Sequence, residues 1–267
     1  MKIFTRILLN FILIFSAIAP AIAEDKWIDL THDFAPETIY WPTEAPFNLE
    51  VLSHGISAGG YFYVANRFSA AEHGGTHIDA PIHFSEGQHS VEQIPLWRLI
   101  GQAVLIDVTA GARGTIAVNP DYQITVDDFK NWEKQHGRLP DKSIILLRTG
   151  FGHYWPDKQK YLGTTMRGQA GVAKLHFPGL HPDAAHWLVR KRQIASIGID
   201  TPSIDYGQSK KYLSHQILFA EQIPVFENLA NLEKLPATGI EVIALPMKIR
   251  GGSGAPLRII AKLTKSR

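Results

Sequence analysis

The sequence predicts a mixed α/β domain, built on a mixed β-sheet or barrel with flanking helices. Three observations lead there. Seven short β-rich runs are spread along the chain. Helical segments fall between only some of them, and the first part is richer in strand than a regular βαβ alternation, which disfavours a doubly wound sheet. No internal repeat, low-complexity tract or long linker breaks the 267 residues, and a hydrophobic content of 45% supplies a sizeable core.

The elements follow in chain order. "MKIFTRILLNFILIFSAIAPAIA" (1–23) opens with Lys2 and Arg6, runs apolar and closes on Ala21, Ile22 and Ala23. That is the pattern of a secretory signal peptide with a small-residue cleavage site. Its apolar stretch is short for a membrane span, which takes roughly 20 residues. The expectation is a single mature domain over 24–267, periplasmic or secreted, with no membrane attachment after cleavage. The β-rich runs are "WIDLT" (27–31), "YFYVANRF" (61–68), "AVLIDV" (103–108), "SIILLRT" (143–149), "IASIGID" (194–200), "VIAL" (242–245) and "LRIIAKL" (257–263). "TVDDFKNWEKQHG" reads as a helix with Thr125 as N-cap, Val126, Phe129 and Trp132 as its apolar stripe and Gly137 as its stop. "HPDAAHWLVRKR" reads as a second, with Pro182 in the first turn and Ala184, Ala185, Trp187 and Leu188 on the apolar side. "SKKYLSHQILFAE" reads as a third, capped by Ser209, with "IPVF" after it as a short strand.

Charge and cysteine content narrow the chemistry. Lys and Arg total 27 and Asp and Glu 25, a net charge of +2 that argues against a dedicated nucleic-acid partner. The basic run "VRKRQ" (189–193) is read as a solvated helix end, where cations favour the helix dipole. There is no cysteine. Thiolate nucleophiles, Cys-type zinc sites and iron–sulfur clusters are therefore excluded, and any metal must be held by His, Asp or Glu.

One stretch concentrates such ligands. "EHGGTHIDAPIHF" (72–84) carries His73, His77, Asp79 and His83. A helix is ruled out by Gly74, Gly75 and Pro81. In an extended chain the four share one parity and so one face. Ten steps of roughly 3.3 Å still spread His73 and His83 too far for one ion, so the chain must bend, and the two glycines and the proline are where it can. The stretch reads as a curled, mostly extended loop that turns its ligands inward, or as a polar turn rich in His. Imidazoles with a carboxylate suit Zn²⁺, Mn²⁺ or Fe²⁺ and a hydrolytic site, and a carboxylate such as Asp79 can bridge two ions. A His left uncoordinated can move protons. The other isolated histidines, such as His32, His54 and His181, are read as surface, capping or core residues.

"HGGTHIDAPIHF" resembles the signature of the cyclase family of metal-dependent hydrolases, which includes the bacterial kynurenine formamidases and the isatin hydrolases. "WIDLTHDFAPETIYWPTEAPF", "FPGLHPDAAHWL", "IASIGIDTPSID", "FENLANLEKLP" and "GGSGAP" resemble further family segments in family order. The resemblance implies a kynurenine formamidase-like mixed α/β fold. It implies metal binding by His73, His77 and Asp79, with Asp79 bridging to a second ion held also by His215 and Glu227. His83 is then the general acid/base. The cofactor implied is a divalent metal, Zn or Mn, as one or two ions. The substrate implied is a small aromatic amide or lactam, an aryl formamide first and an isatin-like ring second, and the assembly a homodimer or homotetramer. The formamidases carry Trp-Pro-Gly-Asp near the N-terminus, whereas this chain has Trp41, Pro42, Thr43 and Glu44. That departure bears on substrate identity. Trp41 is a candidate substrate contact, and with "GGYFYVANRF" (59–68) it could form an aromatic wall for a planar ring. The plainer reading has Tyr61, Tyr63 and Phe68 packing the core.

Two rival readings remain. "GISAG" (55–59) matches Gly-x-Ser-x-Gly and would make Ser57 a nucleophile, but that motif needs a helix after it, and another strand follows. "GGSGAP" (251–256) fits no phosphate-binding glycine pattern and reads as a turn between two late strands, near the active site. An exported protein that binds a metal or small aromatic without turnover is the alternative of another class.

Overall fold

The computed structural model describes residues 26–109 and 119–264. The expected signal peptide therefore lies outside the described residues. The strands are β1 (Lys26–Asp29), β2 (Asn48–Ile56), β3 (Phe62–Ser69), β4 (His77–Asp79), β5 (Ile100–Asp107), β6 (Gln123–Ile124), β7 (Ile144–Arg148), β8 (Gly179–Leu180), β9 (Ser196–Ile199), β10 (Val225–Glu227), β11 (Ile240–Pro246) and β12 (Gly254–Leu263). The helices are α1 (Val126–His136), α2 (Lys158–Leu162), α3 (Gly168–Val172), α4 (Pro182–Arg192) and α5 (Leu213–Ala220).

The main sheet runs β1-β12-β11-β5-β7-β9-β10-β4, and β4 also pairs with β12. That last pairing closes seven strands into a barrel and leaves β1 as an extra strand on β12. Of the mixed sheet or barrel expected from the strand-rich sequence, the barrel is what forms. Strands β5, β7, β9 and β10 are parallel neighbours, and the remaining pairings of the barrel are antiparallel. The parallel segment is covered on both faces, which is why the first four residues of β7 and the whole of β9 read as unbroken apolar or small-residue runs.

Alternation along the strands sorts two cores. Ile144 and Leu146 join Leu105, Ile78, Phe226 and Val242 inside the barrel. Ile145 and Leu147 join Ile106, Ile197 and Val225 outside it, against Phe129, Trp132, Ala185, Leu188 and Leu218 of the helices. Helix α1 starts at the expected Thr125, which forms a capping box with Asp128, and stops at Gly137 in a positive-φ conformation. Helix α4 starts at Pro182, capped by His181. The basic run at its end is not wholly a solvated face, since Arg192 makes a two-pronged pair with Glu133 of α1 at 2.6 and 2.7 Å.

Helix α5 begins later than the sequence predicts. Residues 209–212 form an irregular bend instead, with Tyr212 at positive φ as the residue before the helix. The reason is Asp205. Its carboxylate accepts from the N–H groups of Ser214 and His215, the role a cap at Ser209 would have filled, and Ser209 bonds Asp205 through its hydroxyl.

Strands β2 and β3 pair only with each other and form a separate hairpin. Its root is held by Phe47, which stacks on Phe68 and tilts against Phe34. The aromatics of this run do not pack the core. Tyr61, Tyr63 and Phe68 are 63%, 50% and 50% exposed.

Candidate metal centre

The stretch 72–84 bends where its glycines and proline allow. Gly75 has φ +58°, and Gly74 lies flat against Tyr40, where an added Cβ would come within 2.1 Å of the ring. The chain then runs extended through β4, and Pro81 opens a single 3₁₀ turn ending at His83. Only 77–79 is a true strand. The shared parity of His77 and Asp79 holds there, and Ile78 points the other way into the barrel.

Register brings the second half of the chain to the first. In the antiparallel β4–β10 pair Glu227 lies opposite His77 and Val225 opposite Asp79. Val225 faces the outer core, so Glu227, His77 and Asp79 stand on the outer wall of the barrel. Helix α5 crosses that wall and supplies His215. The resulting distances are short: His73 Nδ1 to Asp79 Oδ1 2.6 Å, His77 Nε2 to Asp79 Oδ1 3.1 Å and to Glu227 Oε2 3.5 Å, His215 Nε2 to Asp79 Oδ2 3.2 Å and to Glu227 Oε1 3.2 Å. Asp79 is the hub, with one oxygen toward His73 and His77 and the other toward His215. Potential ligand atoms of His77, Asp79 and Glu227, and separately of His73, Asp79 and His83, lie within 4.8 Å of one another.

The imidazoles are aimed by their outer nitrogens. His77 Nδ1 donates to the Gly75 carbonyl at 3.0 Å, and the Asn228 amide donates to the same carbonyl at 2.7 Å. His215 Nδ1 donates to Asp205 at 2.7 Å. Both rings are thereby fixed with Nε2 facing the cluster, and a ring held through its other nitrogen is what a metal-binding histidine needs. Electrostatics agree with a cation. His77, Asp79, His215 and Glu227 are all nearly fully buried. Burial opposes charge on His215 and His77, yet the carboxylates around them outweigh it and raise both. Burial likewise opposes charge on Asp79, but His73, His215 and His77 hold its carboxyl well below the usual range. Burial and the Asp79 charge push Glu227 up. Two buried carboxylates that favour protons on neighbouring imidazoles form a site that suits positive charge, and the donor set fits a divalent ion.

His83 differs. Its ring stacks on His73 at 3.8 Å, and among the described residues no protein group hydrogen-bonds its nitrogens. Burial lowers its pKa to about 4, so it is neutral at pH 7 and able to accept a proton. The cluster forms the floor of a cavity of about 590 Å³, within the size range of small-ligand pockets. Trp41, Phe84 and Tyr212 line it, and so does Glu44, one of the residues that departs from the formamidase pattern. Phe84 lies 5.3 Å from Tyr212 and 4.7 Å from His215, ring centre to ring centre. No residue of 59–68 lines this cavity, so the aromatic wall read from that stretch is absent from it; the nearest lining residues in sequence, Ala70, Ala71 and Glu72, follow β3. Ser57 sits in the turn of the hairpin with a strand after it, so the nucleophile reading fails. Asp205, Asn228, Phe84 and Tyr212 were missed by the sequence reading. Their one signal was position: each lies in or beside a segment already singled out.

Comparison with known proteins places the chain. The Cyclase family model, described as "Putative cyclase", matches residues 28–206. The chain belongs to that family. The isatin hydrolase of Roseibium aggregatum is 31% identical over 257 residues, covering 91% of this Cyclase-family chain and 94% of its own. The kynurenine formamidase of Bacillus anthracis is 28% identical over 237 residues, covering 89% and 97%. The solved structure of isatin hydrolase A from Labrenzia aggregata, bound to benzyl benzoate, matches with a TM-score of 0.79 and 33% identity, covering 90% of this chain and 94% of that one.

Proposed function

We propose that this chain is a metal-dependent amidohydrolase that cleaves a non-peptide C–N bond in a small aromatic amide. An aryl formamide is the first substrate class and an isatin-like lactam the second. The observation that carries the reading is the buried His/Asp/Glu cluster on the floor of an aromatic cavity, beside a neutral imidazole whose nitrogens no described protein group hydrogen-bonds. His73, His77 and Asp79 would hold one ion, and Asp79, His215 and Glu227 a second, either zinc or manganese. A bound divalent ion would polarise the carbonyl and make water acidic enough to react near neutral pH.

The rest of the chemistry belongs to the chain. Trp41, Phe84 and Tyr212 give a planar ring apolar walls on which to lie. His83 takes a proton from the attacking water as its oxygen bonds to the carbonyl carbon. The C–N bond then breaks, and His83 returns the proton to the leaving nitrogen, so no net charge accumulates on the imidazole. Packing on His73 fixes the His83 ring for both transfers.

The N-terminal pattern of 1–23 supports export to the periplasm or beyond, checked by the mass of the mature chain, expected to start at Glu24. The hairpin supports self-association as a homodimer or homotetramer, since an isolated two-stranded sheet with apolar side chains exposed on both faces is marginal alone. The function is tested by assaying N-formylkynurenine and isatin side by side, before and after chelation. Chelator-sensitive turnover of either names the substrate branch. Turnover that survives thorough metal removal would sink the metal reading, and metal retained without turnover of either would favour a binding protein.

A further inference from the structure

Three histidines face the cluster, and their outer nitrogens are held in three ways. His77 is held by a local carbonyl and His215 by Asp205. His73 is held from the far end of the chain: its Nε2 lies 2.8 Å from the hydroxyl of Ser253, 180 residues away. That hydroxyl lies 2.8 Å from Glu72 Oε2, which also accepts from the N–H groups of Ser253 at 2.9 Å and Gly254 at 3.2 Å. A hydroxyl has one proton to give. With the carboxylate as its acceptor, Ser253 gives that proton to Glu72 and accepts from His73 Nε2–H. The direction of the whole chain, from His73 to Ser253 to Glu72, is then set.

The turn that carries Ser253 is shaped around this chain of bonds. It is the "GGSGAP" stretch, which fits no phosphate-binding pattern. Pairing of β12 with β4 sets Gly254 opposite Asp79 and Pro256 opposite His77, and Ala80 N–H donates to the Ser253 carbonyl at 2.8 Å. A Cβ on Gly254 would stand 2.5 Å from His73 Cε1, and one on Gly252 would stand 3.0 Å from Glu72 Oε1. Both glycines leave room for the side chains that the turn embraces.

We infer that Ser253 and Glu72 are positioning residues that keep His73 in its Nε2-protonated tautomer, so that Nδ1 is the nitrogen it presents to a metal ion. The tautomer is opposite to that of His77 and His215, which both present Nε2. Neither residue touches substrate in this role, and they act through His73 alone. The inference rests on the metal reading above.

The test is chelator-competition titration of Zn²⁺ and Mn²⁺ on the wild type and on Ser253→Ala and Ser253→Thr, with the melting temperature of each metal-free protein alongside. Ser253→Ala is expected to weaken metal affinity by roughly 10- to 100-fold, the usual cost of losing a group that orients a ligand. Its metal-free melting temperature should stay near that of the wild type, because the two backbone bonds to Glu72 remain. Ser253→Thr keeps a hydroxyl and should restore affinity. Wild-type affinity in Ser253→Ala would overturn the inference while leaving the metal reading intact. A fall in metal-free melting temperature with unchanged affinity would likewise overturn it and mark Ser253 as a turn residue only. No binding of either ion by the wild type would overturn both.

Discussion

The outer wall at β4 and β10 and the β2–β3 hairpin depart from ordinary burial in opposite directions. The wall hides charge: Asp79, His77, His215 and Glu227 are each at most 3% exposed. The hairpin displays grease, with Ile56 72% exposed and Phe62 63% exposed. Buried carboxylates need compensating charge, which imidazolium protons or a metal can supply. Exposed apolar strands need a cover. The two departures are where the proposed function puts a cation, at the wall, and a second surface, at the hairpin.

The strongest way to break the first half of this comparison is Asp79→Asn. The hub keeps its shape and loses its charge. Metal content should fall, and kcat/KM should drop by a factor on the order of 10³ or more. Metal analysis with steady-state kinetics checks this, and a variant that retains metal and activity would show that Asp79 is not the hub. His83→Ala separates proton transfer from metal binding. It should keep its metal and lose roughly 10²- to 10⁴-fold in kcat. Metal lost along with activity would instead make His83 a ligand, a role its placement near His73 and Asp79 also permits.

The hairpin half is tested by Ile56→Ser combined with Phe62→Ser. Light scattering after size exclusion should show the wild type as an oligomer and the variant shifted toward monomer at the same concentration. Identical masses would detach the hairpin from assembly. The smallest expected effect concerns His32, whose ring stacks on Trp155 at 4.2 Å with its buried Nε2 lacking a partner. Burial lowers its pKa to about 4, against an opposing pull from Asp33. The unfolded state, with a His near 6.5, binds more protons between those values. This contribution is therefore complete above about pH 6.5 and is lost as pH falls toward 4. His32→Phe keeps the stack and removes the proton. Urea unfolding at pH 7 and pH 5 should show the variant losing less stability than the wild type, by at most about 2 kcal/mol. Equal losses would mean that His32 titrates normally.

Legibility followed distance along the chain. The His73–His83 stretch was readable as a bent ligand loop because its glycines, proline and parity are local facts, and the cap of α1 and the Pro182 start of α4 were readable for the same reason. The start of α5 was misjudged because its cap, Asp205, lies outside the helical pattern and reaches the helix by a turn of the chain. The hairpin aromatics were misjudged because alternation shows that a strand has two faces and is silent on what covers them.

The amino-acid sequence by itself determined the strand-rich α/β character, the ligand-bearing loop and, through its resemblance to a family, the names of the distant partners His215 and Glu227. Only the tertiary structure decided that β4 is gripped between β10 and β12. That pairing is what sets Glu227 opposite His77, brings Ser253 onto His73 and moves the site to the outside of the barrel under α5. Register between strands roughly 150 to 180 residues apart is fixed by closure of the whole sheet, so no local pattern could encode it.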